Sequence, residues 1–275
     1  MRKTGRMDFA TMMQLERHGA DTFVGTGPAY PWGGLYGGQI VAQALRAAGH
    51  TAPEPFVPHS LHAYFIRPGD HTEPIRFEVE RLRDGRSFAT RQVIARQSNG
   101  AILTMISSFH TGEDSPIVTP VVAPTAPRPD ELADTSWTPA IERRSIPTDD
   151  TGQLAWMRIV GDLGPFEADP MLHCCGLAYA SDDLPAEPIA MSHPDHGDRS
   201  WDEQPDERQS QLMIVSLDHA LWFHRPHRAD AWHLEQLDGS GLLDARGLAR
   251  GRFFDTDGNH VASVAQEVLA RKRRR

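Results

Sequence analysis

Two copies of one spaced pattern constrain how this chain can fold. In "AYFIRPG" an aromatic run ends at Phe65-Ile66-Arg67-Pro68, and Asn99-Gly100 opens a second apolar run 32 residues after Pro68. In "LWFHRPH" the same ending recurs at Phe223-His224-Arg225-Pro226, and Asp257-Gly258 again places its glycine 32 residues beyond the proline. Both anchors therefore shift by 158 (226 − 68 and 258 − 100). Two anchors at one offset indicate an internal duplication, with a period far too long for a solenoid. Asn-Gly and Asp-Gly favour tight hairpins because glycine tolerates positive φ.

Each half reads as one helix followed by strands. The first helix is expected over Gln39–Ala48. The second is expected over Met171–Ser181, with Asp169 as N-cap and Pro170 at the first helical position. In "PIRFEVE", Ile75, Phe77 and Val79 alternate with Arg76, Glu78 and Glu80, the pattern of a half-buried strand. "AILTMISSF" is more continuously apolar and reads as covered on both faces. "ARGLARGRF" presents Ala245, Gly247, Ala249 and Gly251 on one face, which lets another element approach closely. One helix plus antiparallel strands, twice, is an α+β architecture.

Between the halves, Asp114 to Asp150 holds seven prolines, at 116, 120, 124, 127, 129, 139 and 147. Proline fixes φ and removes a donor, so this stretch reads as a linker, with a short helix near Pro139 to Arg144. The expected division is a first unit over 1–113, the linker over 114–150 and a second unit over 151–275.

The chain has 275 residues, 39% of them hydrophobic, enough for a substantial core. A net charge of −9 argues against general nucleic-acid binding. Cys174 and Cys175 are adjacent, which reads as two buried thiols in a reducing, cytoplasmic setting. No apolar run is long enough to insert in a membrane, and no signal-peptide core follows Met1. The terminal "ARKRRR" reads as a frayed basic end rather than a peroxisomal address.

Gly33, Gly34, Gly37 and Gly38 crowd the approach to the first helix. They match neither G-x-x-x-x-G-K-[ST] nor G-x-G-x-x-G, and "TGPAYPW" before them is no strand. They read instead as a helix entry passing close to a neighbour. Amides at such an entry, Gly37 and Gly38 included, can also hold a developing negative charge. His219, His224 and His227 invite a metal reading, but a strand turns the first two to opposite faces and ends at Arg225-Pro226. They read as core or rim histidines, with no metal site. "DGSGL" lacks a five-residue nucleophile elbow, against a serine hydrolase.

"YGGQIVAQAL", "HSLHAYFIRPGD", "VERLRDGRSFATRQV", "DHALWFHRP", "ARG" and "VAQE" resemble the type II (TesB-like) acyl-CoA thioesterases. The likeness runs in order along nearly the whole chain. It implies a double hotdog fold, two copies of a long helix wrapped by an antiparallel sheet. It also implies acyl-CoA as substrate, no cofactor and a homo-oligomer. Matched motif by motif, it implies Asp182 of "YASD", Ser216 and Gln266 of "VAQE" as the catalytic set, with serine where the family usually has threonine. Read from the residues alone, Asp182 lies at a helix C-terminus beside apolar positions 171, 175 and 178, where a carboxyl should be raised. Periodicity does not separate it from Asp183, and a plain turn aspartate before Pro185 is the simpler reading. Gln266 shares a strand face with Ala262, Val264 and Val268, and a buried amide there must find partners. Ser216 and Asp218 share a face with Ile214 and Ala220, which makes Asp218 a rival carboxylate or a group that orients the site from behind. Arg81, Arg83, Arg86 and Arg91 flank a turn and read as a basic rim for a nucleotide head, or as a solvated charged strand. Two other functions fit the same fold, an acyl-CoA-binding regulatory module and an enoyl-thioester hydratase. Convergence of Asp182, Ser216 and Gln266 separates the thioesterase from both, since a hydratase would set a histidine in the pocket.

Overall fold

The computed structural model describes residues 8–148, 152–196 and 212–273. The first half contains α1 (Phe9–Met12), β1 (Glu16–Arg17), β2 (Thr22–Gly25) and α2 (Gly37–Gly49). It continues through β3 (Val57–Phe65), β4 (Ile75–Asp84), β5 (Phe88–Gln97) and β6 (Gly100–His110). The second contains β7 (Ile141–Ile146), β8 (Gln153–Ile159), α3 (Pro170–Ala180) and α4 (Ala186–Met191). Its remaining strands are β9 (Leu212–Ser216), β10 (Asp218–Phe223), β11 (His233–Gly239), β12 (Arg246–Phe254) and β13 (His260–Lys272).

One antiparallel sheet runs β1-β2-β4-β5-β6-β3-β10-β13-β12-β11-β8-β7, with β9 also paired to β13. The order on one side of the β3/β10 seam mirrors the order on the other. At that seam His62 pairs with Ala220, and 220 − 62 is 158, the offset between the sequence repeats. The duplicated halves thus meet about a local two-fold centred on His62 and Ala220.

The two long helices pack on the inner face of this sheet, antiparallel to each other. Both begin as the sequence predicts within two residues. Asp169 caps α3 by accepting the Leu172 N–H at 2.9 Å, with Pro170 opening the helix. The Asp169 carboxylate also takes a bidentate pair of bonds from Arg46, each 2.8 Å long, near the end of α2. That contact ties the end of α2 to the start of α3 and fixes their antiparallel alignment. Ten of the thirteen residues of α2 are buried, which explains its alanine-rich, nearly charge-free composition.

Several expectations need correction. The segment near Pro139 to Arg144 is no helix; Ile141 to Ile146 form β7, an edge strand paired with β8. Pairing with β8 gives its backbone a partner, and Arg143 then points inward at 3% exposure. Nor is the proline-rich stretch a free linker. Val121, Ala123, Ala126 and Leu132 cover the outer-face cluster of Trp156, Leu234 and Phe254. Trp156 Nε1 donates to the Pro127 carbonyl at 2.8 Å. Strand β6 is not covered on both faces, since Ile106 is 47% exposed. The basic end is not wholly frayed, because β13 continues to Lys272; Arg274 and Arg275 lie outside the described residues. The small-residue face of β12 does receive a neighbour. A Cβ on Gly247 would lie 2.7 Å from Ile189 of α4.

Candidate active site

The start of α2 meets the end of α3 with no room for side chains. A Cβ on Gly38 would sit 2.3 Å from the Tyr179 carbonyl, and one on Gly37 would sit 2.6 Å from Asp182 Oδ2. The glycines therefore serve close approach, and what they approach includes a carboxylate. Asp182 follows α3 by two residues and is 8% exposed, not the open turn residue of the simpler reading. Burial pushes its carboxyl up to about 7, and the neighbouring Asp183 adds to that; the Gly38 N–H and the Gln266 amide pull the other way. Its Oδ1 is buried with no hydrogen-bond partner among the described residues. A carboxylate poised near neutrality, with one oxygen unspent, suits proton transfer.

Gln266 comes from the inward face of β13, where alternate residues from Ala262 to Ala270 are buried. Its amide is fully buried and both ends are engaged. Nε2 donates to Ser216 Oγ at 2.6 Å, and Oε1 lies 2.5 Å from His219 Nδ1. The two partners are three residues apart, so a regular strand would place them on opposite faces. A β-bulge resolves this. On β9, Ser216 pairs with Val268, whereas on β10 Ala220 pairs with Ala265, a register slip of one. The slip falls at Leu217, whose N–H donates to the Glu267 carbonyl at 2.8 Å and whose carbonyl accepts from Phe65 N–H at 3.0 Å.

The bulge also disposes of Asp218. Its Oδ1 accepts the Glu267 N–H at 2.6 Å, supplying the acceptor that the broken ladder lacks. Ser216 and Asp218 consequently do not share a face, contrary to the straight-strand expectation. Asp183 is engaged as well. It forms a buried ion pair with Arg143 at 3.1 Å and accepts from Trp137 Nε1. Glu235 on β11 is fully buried with neither oxygen bonded among the described residues, and burial holds its carboxyl far above the usual range. Of the carboxyl groups at this junction, Asp182 is the one that touches the start of α2.

His219 is fully buried beside this group. Its Nε2 lies 2.9 Å from Ser181 Oγ and its Nδ1 lies 3.9 Å from Asp182 Oδ1. Burial lowers its pKa to about 4. The other two histidines go elsewhere. His224 Nε2 meets Ser263 Oγ at 2.9 Å, and His227 packs against His173 and Phe223. Among the described residues no three His, Cys, Asp or Glu side chains are grouped to hold a metal ion. Cys174 and Cys175 are free and buried, and burial pushes Cys175 up to about 12.

The basic rim loses Arg91. Arg91 is 0% exposed and donates to Thr51 Oγ1, the Thr51 and Arg83 carbonyls, and Asp84. Arg81 pairs with Asp21 at 2.8 Å. Thr51 follows the end of α2, and Asp182 touches its start. Thirteen residues of helix put about 20 Å between the two. An aromatic group not anticipated from sequence borders the site. Trp137, from the proline-rich segment, packs on Trp32 at 5.1 Å and on Tyr36 at 5.2 Å between ring centroids. Tyr36 donates to the Tyr179 carbonyl at 2.8 Å, and Tyr30 donates to Gln39 at 2.8 Å.

Residues 26–110 match the family model of the acyl-CoA thioesterase N-terminal domain, and residues 120–270 that of the C-terminal domain. Human acyl-coenzyme A thioesterase 8 is 33% identical over 95% of this chain and 88% of its own. Acyl-CoA thioesterase 2 of Haemophilus influenzae is 31% identical over 86% of this chain and 87% of its own. The crystal structure of an acyl-CoA thioesterase II, TesB2, from Mycobacterium marinum superposes with a TM-score of 0.81. It is 33% identical and covers 97% of this chain and 98% of that one. A hot dog fold protein from Alicyclobacillus acidocaldarius, at 20% identity and a TM-score of 0.76, shares the fold. With a duplicated hotdog architecture and both domain models matched in order, the chain belongs to the type II acyl-CoA thioesterases, hydrolases of the acyl-CoA thioester bond.

Proposed function

We propose that the chain hydrolyses fatty acyl-CoA to free fatty acid and CoA, with Asp182 as general base and Ser216 and Gln266 holding the water. The observation that carries this reading is the convergence of three distant segments. Asp182 touches the start of α2, the Gln266 amide reaches Asp182, and Ser216 joins through Gln266; Asp182 Oδ1 is buried with no hydrogen-bond partner among the described residues. In this scheme Asp182 takes one proton from water as the water oxygen bonds to the thioester carbonyl carbon. The carbonyl oxygen becomes an oxyanion at the positive end of α2, where the Gly37 amide lies, while the Gly38 N–H stays on Asp182. Collapse of that intermediate breaks the C–S bond, and the proton on Asp182 passes to the leaving sulfur. The acid product then ionises to solvent.

Neither alternative uses this arrangement. A binding module has no need to hold an amide between a serine and a carboxylate. A hydratase needs a histidine nitrogen facing substrate, and both nitrogens of His219 are engaged, by Ser181 and by Gln266. The test is free-thiol release from saturated acyl-CoAs of short to long chain, beside enoyl-CoA hydration and equilibrium binding. Thiol release with saturated substrates supports hydrolysis. Binding without thiol release, or hydration without it, refutes the proposal.

A further inference from the structure

We infer that His219 is a positioning residue for this reaction: it locks the Gln266 amide in the one orientation that turns its NH2 toward Ser216 and Asp182. The inference rests on the reading above, in which Gln266 helps to hold the water.

Donors and acceptors around Gln266 fix its orientation. A buried amide has two orientations, and its surroundings decide between them. On one side of Gln266 lie Ser216 Oγ, at 2.6 Å, and the Asp182 carboxylate. Ionised, that carboxylate only accepts, so an amide turned the other way would set Oε1 against it. The NH2 must therefore face Asp182, and Oε1 must face His219 Nδ1 at 2.5 Å. Oε1 only accepts, so Nδ1 must carry the ring proton. A neutral imidazole has one such proton, so Nε2 is the acceptor and takes the Ser181 hydroxyl at 2.9 Å. Ser181 also lies 3.2 Å from the Ala178 carbonyl, the longer of its two contacts. The chain thus runs one way, from Ser181 through His219 and Gln266 to Ser216. Because Ser216 accepts from Gln266, its own O–H remains available to donate into the site.

His219 shows what this alignment needs. It is fully buried, so it stays neutral where a protonated ring would be costly. The bulge at Leu217 brings it onto the same inner face as Ser216, which no regular strand would do. Without His219, Oε1 has no donor and the amide is free to rotate away. A reacting group misplaced by about 1 Å costs about 10²-fold in rate.

The test is a double-mutant cycle on kcat with His219→Ala, Gln266→Ala and both together, alongside ¹⁵N NMR of the wild-type imidazole. His219→Ala should lower kcat about 10²-fold with KM little changed, and should cost nothing more in the Gln266→Ala background. The NMR should report an Nδ1–H tautomer above about pH 7, where the Asp182 carboxyl is ionised. Ser181→Ala, which leaves the packing nearly intact, should lower kcat several-fold and mix the tautomers. Additive effects in the double variant, an unimpaired His219→Ala enzyme or an Nε2–H tautomer would each overturn the inference. If the His219→Ala variant does not fold, the tautomer and Ser181→Ala decide. A Gln266→Ala enzyme with wild-type kcat would instead overturn the reading of the site on which the inference depends.

Discussion

Asp182→Asn should make the protein more stable at neutral pH while removing its activity. Protonation of Asp182 and folding are linked. The ordinary carboxyl value is 3.8, and burial raises Asp182 to about 7 in the folded state. Between those values the unfolded chain releases its proton while the native chain keeps it. The unfolded state then binds fewer protons, so stability falls as pH rises from about 4 to about 7, and levels off above. A shift of about three pKa units corresponds to about 4 kcal/mol at the plateau. Asparagine does not titrate, keeps an acceptor for the Gly38 N–H and escapes this loss. Denaturant unfolding of both proteins from pH 4 to pH 8 supplies the difference curve. It should rise through pH 4–7 to a plateau near 4 kcal/mol, or about 10 °C in melting temperature for a chain of this size. Any constant offset from the amide itself appears equally at pH 4 and is subtracted. A flat difference curve, or an asparagine variant that loses ground as pH rises, would refute the reasoning.

Three further outcomes follow from the same geometry. Gly37→Ala should lower kcat by at least about tenfold with folding retained, because its Cβ would meet Asp182 Oδ2 at 2.6 Å and Phe65 at 3.0 Å; steady-state kinetics beside a melting curve checks this. Arg91→Met should cost about 1–3 kcal/mol for each carbonyl left without its partner in denaturant unfolding, at Thr51 and Arg83, while kcat/KM per folded molecule and CoA inhibition stay unchanged. The kcat/KM profile should rise through about pH 7 as Asp182 ionises, and no histidine should set that limb, because burial holds His219 near 4.

Much of this could be read in the sequence because it rests on local chemistry. Asp169-Pro170 announces a helix start wherever it lies, and the 158-residue offset reappears as the pairing of His62 with Ala220. Gln266 stood out as an amide on an apolar strand face. Other features depend on partners remote in the chain. Strand parity sends Ser216 and His219 to opposite faces, and only the bulge at Leu217, visible once β9, β10 and β13 are paired, reunites them. The same bulge removes Asp218 from contention. Asp183 is spent on Arg143 and Trp137, two residues of a segment whose prolines suggest a mere connector. Arg91 reads as a surface arginine until Thr51, 40 residues away, takes its guanidinium.

The most direct measurement of the central claim is free-thiol release from acyl-CoA at saturation by wild type, Asp182→Asn and Asp218→Asn. The account predicts a loss of about 10²–10⁴-fold in kcat for Asp182→Asn, in a protein that still folds. It predicts near wild-type kcat for Asp218→Asn, whose amide oxygen can still accept the Glu267 N–H. An Asp182→Asn enzyme that turns over like wild type, or a collapse confined to Asp218→Asn, would contradict it.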